Sequence, residues 1–237
     1  MRLAALLALL SVLAGCGGNE DEPLTVYAAS SLTEVFEQLA PAARFNFAGS
    51  DELATQLREG AQADVYAAAS PRYPGELFEE GIVEEPIVFA TNRLVIVVPS
   101  ENPAEISELD DLAATNVRLV VGGEGVPIGD YTRELLERAG RLDVLERVVS
   151  EEEDVKGVLA KVALGEADAG FVYATDARAA GGDVIGIELP SELQGRIEYP
   201  VAVVRDAERG EEAQRFVELL LSPRGRAALR AAGFGLP

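Results

Sequence analysis

From Leu24 onward, short apolar runs alternate with segments in which apolar residues recur every three or four positions. The first pattern predicts buried strands and the second amphipathic helices, and their regular alternation points to an α/β fold with largely parallel sheets. Strands are expected near 24–28, 44–47, 64–67, 94–98, 118–121, 169–172, 184–187 and 201–204. Helices are expected near 33–42, 52–59, 73–80, 107–113, 128–139, 155–164, 211–220 and 224–231. Pro127 near a helix start, and Gly140 and Gly165 just past helix ends, follow the usual asymmetry of helix termini. Two extended runs, 89–99 and 196–206, are longer than the other strands. One sheet of eight strands and two lobes bridged by these runs both satisfy the pattern.

The chain starts differently. Arg2 precedes an apolar stretch from Leu3 to Leu13, too short for a permanent membrane span of about 20 residues. It reads as an export signal. It ends in Leu13-Ala14-Gly15-Cys16, which resembles a bacterial lipoprotein cleavage box, with Cys16 as the lipidated first residue of the mature chain. Residues 17–23 (GGNEDEP) have the composition of a flexible linker.

Composition narrows the chemistry further. With 237 residues, 48% of them hydrophobic and 26% charged, the chain can bury a sizeable core. Twenty basic against 41 acidic residues give a net charge of −21, and loss of Arg2 with the signal makes it one unit more negative. No basic cluster relieves it, which argues against nucleic-acid and anionic-lipid partners. The longest acidic run, Glu151 to Asp154, reads as a solvated segment before a helix. The chain has no His, which removes His-based triads and imidazole metal sites. Cys16 is the single Cys, so an internal disulfide and a Cys-rich zinc site are also excluded.

What remains is a repeated junction in which a strand ends, a small or hydroxyl residue follows, and a helix begins. It occurs at VYAASSLTEVF, where Ser31 and Glu34 have capping-box spacing, and at FNFAGSDELATQL, with Ser50 at the helix start. It recurs at VGGEGVPIGDYTRELL, where Gly-rich backbone runs into Pro127-Ile128, and at EEEDVKGVLAKV, where Asp154 precedes Val155 as a cap. Helix starts carry unpaired N–H groups and partial positive charge, and so form anion sites. Read singly, each junction is an ordinary cap. Their position after strand ends, where open α/β sheets place ligands, gives them a second meaning.

In this order and at these spacings, VYAASSL, FAGSDELATQL, GVPIGDYTRELL, EDVKGVLAKV, ADAGFVYATDA and EYPVAVV resemble the periplasmic molybdate-binding proteins, the substrate receptors of bacterial molybdate ABC transporters. The similarity runs from about Leu24 to Phe234. It implies a two-lobed, type II periplasmic-binding-protein fold, in which each lobe is a mixed, mostly parallel sheet flanked by helices and two crossing strands join the lobes. It further implies residues 1–15 as signal peptide, 16–23 as lipidated Cys and linker, 24–90 with 203–237 as the first lobe, and 91–202 as the second. The site carried over is Ser31 and Ser50, each with hydroxyl and amide, the amides of Ile128 and Val155, and the hydroxyl of Tyr173. Ile128 is bulkier than the small alanine of the family pattern, and Asp51, beside Ser50, departs from a more neutral, serine-rich pattern.

The implied function is capture of molybdate, and tungstate with it, by a monomer that delivers it to an ABC permease. The protein would touch the membrane only through its lipid, at the outer face of the cell membrane or in the periplasm, with no cofactor, no direct metal ligand, no nucleic-acid partner and no catalysis. Three other readings stay open at this point. Ser–Lys catalysis would need Lys156 or Lys161, the only lysines. A ferric-ion receptor of similar fold would want clustered tyrosines, and no two of the six are adjacent. A signalling or adhesive lipoprotein would bind no small ligand.

Overall fold

The computed structural model describes residues 22–237, so the expected signal peptide, Cys16 and residues 17–21 of the linker lie outside the described residues. Two five-stranded sheets organise the rest. The first holds β1 (Thr25–Ala29), β2 (Arg44–Ala48), β3 (Val65–Ala67), β4 (Ile87–Asn92) and β10 (Ile197–Val203), in the order β2-β1-β3-β10-β4. The second holds β5 (Leu94–Pro99), β6 (Leu119–Gly122), β7 (Val148–Glu152), β8 (Ala169–Tyr173) and β9 (Val184–Glu188), in the order β7-β6-β8-β5-β9. The two are built alike. β1 pairs in parallel with β2 and β3, while β10 runs antiparallel to β3 and β4. Likewise β6 pairs in parallel with β7 and β8, while β5 runs antiparallel to β8 and β9.

Eight helices cover these sheets: α1 (Thr33–Leu39), α2 (Ser50–Arg58), α3 (Arg72–Glu79), α4 (Pro127–Ala139), α5 (Val155–Ala163), α6 (Ala174–Ala179), α7 (Gly210–Leu221) and α8 (Pro223–Ala232). Gly140 and Gly165 end α4 and α5 with positive φ, as their spacing predicts. Cover on both faces explains why β5, Leu-Val-Ile-Val-Val-Pro, is apolar without alternation and buried along nearly its whole length. Helix α5 turns Val155, Val158 and Val162 inward, and each fully buried valine contributes about 1.5–3 kcal/mol of transfer free energy. No helix among the described residues is long and apolar enough to cross a membrane.

Five elements differ from the sequence reading. The run 89–99 is not one strand: it breaks at Arg93, so that β4 lies in one sheet and β5 in the other. The run 196–206 contributes β10 to the first sheet alone, and the return crossing falls in the segment between Glu188 and Ile197. By sheet membership 197–202 therefore sits with the first lobe, where the expected division had the second. Strand β7 went unread because it is an edge strand of alternating exposure whose Glu151 and Glu152 look like helix-start acids. Helix α6 has only six residues, too few for a periodic signal, and the expected helix over 107–113 is a 3₁₀ turn at Leu109–Ala113.

The two crossings lie side by side, with Ile197 opposite Asn92. Gln194 clips them together, its amide accepting from the Leu94 N–H and donating to the Leu94 carbonyl, each at 2.9 Å. A second tie joins the lobes. The Lys156 ammonium lies 2.7 Å from Glu34 on α1 and 3.2 Å from the buried carboxylate of Asp176 on α6.

Burial pushes the Asp176 carboxyl up to about 7, against the opposing pull of Lys156. The folded protein thus holds this proton more tightly than the unfolded chain, whose value is near 3.8. The group's contribution to stability is complete below that value and is lost as pH rises through about 7. Asp176→Asn keeps the shape and removes the titration. In denaturant titrations the stability of the unsubstituted protein minus that of this variant should fall between about pH 4 and pH 7 and level off above. A difference that stays flat, or rises, contradicts the assignment.

Candidate functional site

Five chain segments end at the same place. After β1 the chain turns through a 3₁₀ segment, Ser30–Leu32, into α1. The expected capping box does not form, and neither helix has a side-chain cap. Glu34 is drawn across to Lys156, and the Ser31 hydroxyl meets the Tyr199 hydroxyl at 2.9 Å. After β2, Gly49 leads into α2, whose first residue is Ser50. Ser50 Oγ accepts the Ala69 N–H at 3.0 Å, and its carbonyl accepts from the Tyr66 hydroxyl at 2.6 Å. A side chain at Gly49 would strike the Glu153 carbonyl of the other lobe, so glycine allows the approach.

The second sheet supplies the rest. After β6 the chain passes through Gly122 and Gly123 to Pro127, the first residue of α4, which places the Ile128 amide in the first turn. A Cβ on Gly129 would collide with the Gly122 and Gly123 carbonyls, so α4 starts unusually close to the strand that feeds it. The space above Gly122 is taken by Ile128 Cγ2, which accounts for a bulkier residue at this position. After β7, Asp154 caps α5 as its spacing predicts, its Oδ1 accepting the Gly157 N–H at 2.8 Å. That leaves the Val155 amide among the unpaired donors of the first turn. Tyr173 closes β8, and its buried hydroxyl has no hydrogen-bond partner among the described residues.

Ser31, Ser50, Ile128, Val155 and Tyr173 all line one small cavity between the sheets. None of the five is more than 4% exposed. No Lys or Arg lines the cavity, and its one charged residue, Asp154, is engaged as a cap. Burial raises the Tyr173 phenol well above the ordinary tyrosine range, so it stays a neutral donor. The walls are held together across the cleft by Glu34–Lys156, by Arg72–Asp130 at 3.7 Å, and by the Tyr73 hydroxyl donating to the Gly125 carbonyl.

Asp51 is not part of the lining. Its carboxyl lies over the start of α2, where burial raises its pKa and amide donors from Asp51 and Glu52 oppose the rise. Sequence reasoning assigned no role to Tyr199, although EYPVAVV contains it; a hydroxyl delivered from 168 residues away leaves no local signal. A larger open groove at the other end of β1 holds none of the five residues. Its polar groups already bond to each other, Thr25 N–H to Asp64 at 2.8 Å and Arg44 to Thr25 Oγ1 at 3.1 Å. The lysines required by a Ser–Lys mechanism are committed to carboxylates, Lys156 to Glu34 and Asp176, and Lys161 to Glu152 and Glu166. Among the described residues no group of three or more His, Cys, Asp or Glu is arranged to hold a metal ion.

Comparison with known proteins agrees with this geometry. The family of bacterial extracellular solute-binding proteins matches residues 24–235. The molybdate-binding protein ModA of Mycobacterium tuberculosis is 34% identical over 97% of this chain and 95% of its own length. ModA of Escherichia coli is 30% identical over 99% of this chain and 97% of its own. The solved periplasmic molybdate-binding protein of Azotobacter vinelandii superposes with a TM-score of 0.81 at 23% identity, over 90% of this chain and 99% of that one, which shows the shared two-lobed fold. These are transport receptors rather than enzymes, and the chain belongs to the bacterial extracellular solute-binding proteins, in the group that holds the molybdate-binding proteins.

Proposed function

We propose that this protein captures molybdate, and tungstate with it, in the cavity between its two sheets and delivers it to the permease of an ABC importer. It acts as an exported monomer, tethered by lipidated Cys16 and needing no cofactor. The observation that carries this reading is the convergence of Ser31, Ser50, Ile128, Val155 and Tyr173 on one small cavity with no cationic side chain. Their donors are four helix-start amides and three hydroxyls, all neutral.

A protein of charge −21 can hold a dianion this way because the competing effects differ in range. Hydrogen bonds to a charged group contribute roughly 1.5–3 kcal/mol each, so these donors supply on the order of 10–20 kcal/mol before desolvation and closure costs. Surface carboxylates are screened beyond about 8 Å at physiological salt. The short-range donors win. They also select: a protonated oxyanion would bring an O–H with no acceptor, an unmet group costing about 1–3 kcal/mol. Molybdate, tungstate and sulfate arrive fully deprotonated near neutral pH, and cavity size separates sulfate from the two larger ions.

Titration calorimetry should therefore give tight binding of molybdate and tungstate, weak binding of sulfate, and almost none of phosphate. Phosphate binding as tight as molybdate overturns the reading. Ser31→Ala, Ser50→Ala and Tyr173→Phe each delete one hydroxyl and keep the fold, so each should weaken molybdate binding by about 1–3 kcal/mol, or roughly 5- to 150-fold. Ile128→Ala keeps its amide and should cost much less. Val155→Pro removes the donor itself at a helix position that tolerates proline, and should cost most. A larger loss from Ile128→Ala than from Ser31→Ala, with both folded, contradicts the donor assignment. For the anchor, Cys16→Ser should abolish labelling by a radioactive fatty acid, and label that persists refutes lipidation at Cys16.

A further inference from the structure

We propose that Tyr199, oriented by Asn92, fixes the Ser31 hydroxyl as a donor toward the bound oxyanion and is thereby a specificity-determining positioning residue that excludes protonated oxyanions. The inference rests on the oxyanion site proposed above and adds a residue that does not line the cavity.

A serine hydroxyl can donate or accept, and by itself does not discriminate between protonated and deprotonated ligands. Its neighbours decide. The Tyr199 hydroxyl lies 2.9 Å from Ser31 Oγ and 3.4 Å from Asn92 Nδ2. The Asn92 amide cannot turn freely, because its Oδ1 accepts the Arg93 N–H at 2.9 Å while Nδ2 donates to Thr175 Oγ1 at 2.9 Å. The group facing Tyr199 is therefore an NH₂, which only donates. Tyr199 accepts that hydrogen, and its own hydrogen goes to Ser31 Oγ. With Tyr199 donating to one of its two lone pairs, Ser31 turns its own proton away from Tyr199 and toward the cavity. The chain of bonds runs Asn92 to Tyr199 to Ser31 to anion, each donor polarised by the one behind it.

Two further features agree. Ser50 is treated the same way by a different partner, since its Oγ accepts the Ala69 N–H, a group that cannot accept in return. Tyr199 is fully buried and packs edge-on against Tyr173 and Phe234, with centroids at 5.8 and 5.3 Å, so the relay is rigid. Burial also keeps the Tyr199 phenol protonated.

Tyr199→Phe keeps the ring and deletes the relay. Ser31 is then free to turn and accept, so hydrogen phosphate gains where molybdate loses. Calorimetry at pH 8 should show molybdate affinity falling about ten-fold, phosphate affinity rising, and the molybdate-to-phosphate ratio falling by more than about ten-fold. A merely structural role would weaken both anions alike, and an unchanged ratio overturns the proposal. In a Ser31→Ala background Tyr199→Phe should add almost nothing, because Tyr199 acts through that hydroxyl; additive losses also overturn it. If Tyr199→Phe does not fold, Asn92→Ala carries the same test, with an expected ratio change of about three-fold, and an unchanged ratio there is equally decisive. If Ser31→Ala leaves molybdate binding intact, the site itself is wrong. If Ser31→Ala weakens binding while Tyr199→Phe leaves the ratio unchanged, only the relay is wrong.

Discussion

The structure turns on backbone amides that helix geometry leaves without partners. Every helix start has such groups, and most meet water or a side-chain cap. Here residues from the first turns after β1, β2, β6 and β7 line one cavity. Buried donors without acceptors are costly, so the arrangement is stable only with something to receive them. A cation would be repelled. A neutral ligand would satisfy a few donors but gain little from the aligned dipoles. A compact anion uses all of them together, and the absence of Lys and Arg from the lining leaves neutral dipoles alone to hold it.

Bringing four helix starts so close needs backbone that side chains would block. Gly122 and Gly129 sit where β6 passes under α4, and a Cβ on either would press into the other's backbone. Gly49 does the same between lobes, against the Glu153 carbonyl. The residues around these contacts adapt to them. Ile128 Cγ2 fills the space that a side chain on Gly122 would need, and Asp154 turns its Oδ1 to the Gly157 N–H at the start of α5.

Much of this was legible in the sequence, for definite physical reasons. Runs such as Leu94–Pro99 are apolar without alternation because both faces are covered, and nothing but a buried strand looks like that over so short a length. The site was legible through its junctions, since Pro127 and Asp154 announce helix starts in the residues themselves. Strand β7 was not, because an edge strand pairs through its backbone and can carry any side chain on its open side. The capping box at Ser31 and Glu34 is a sound local inference overruled at long range: Lys156 offers Glu34 a charge and Tyr199 offers Ser31 a hydroxyl. Tyr199 shows the limit most plainly. Its contact is with Ser31, 168 residues away in the chain, and the antiparallel insertion of β10 beside β3 brings the two together.

The same contrast in range bears on how the lobes hold each other. The ties across the cleft rim are few and partly exposed: Lys156 to Glu34, Arg72 to Asp130, and Tyr73 to the Gly125 carbonyl. Exposed ion pairs of this kind contribute about 0–1 kcal/mol each. Hydrogen bonds from the cavity to a charged ligand contribute more apiece, and they reach it from both sheets at once. On the proposed reading, an anion bound in the cavity would therefore join the lobes more strongly than the rim contacts do. Asn92 and Gln194 stand where the chain crosses from sheet to sheet, one oriented toward Tyr199 and the other clipped to Leu94. The pivot of the lobes and the polar wiring of the site thus share the same few residues.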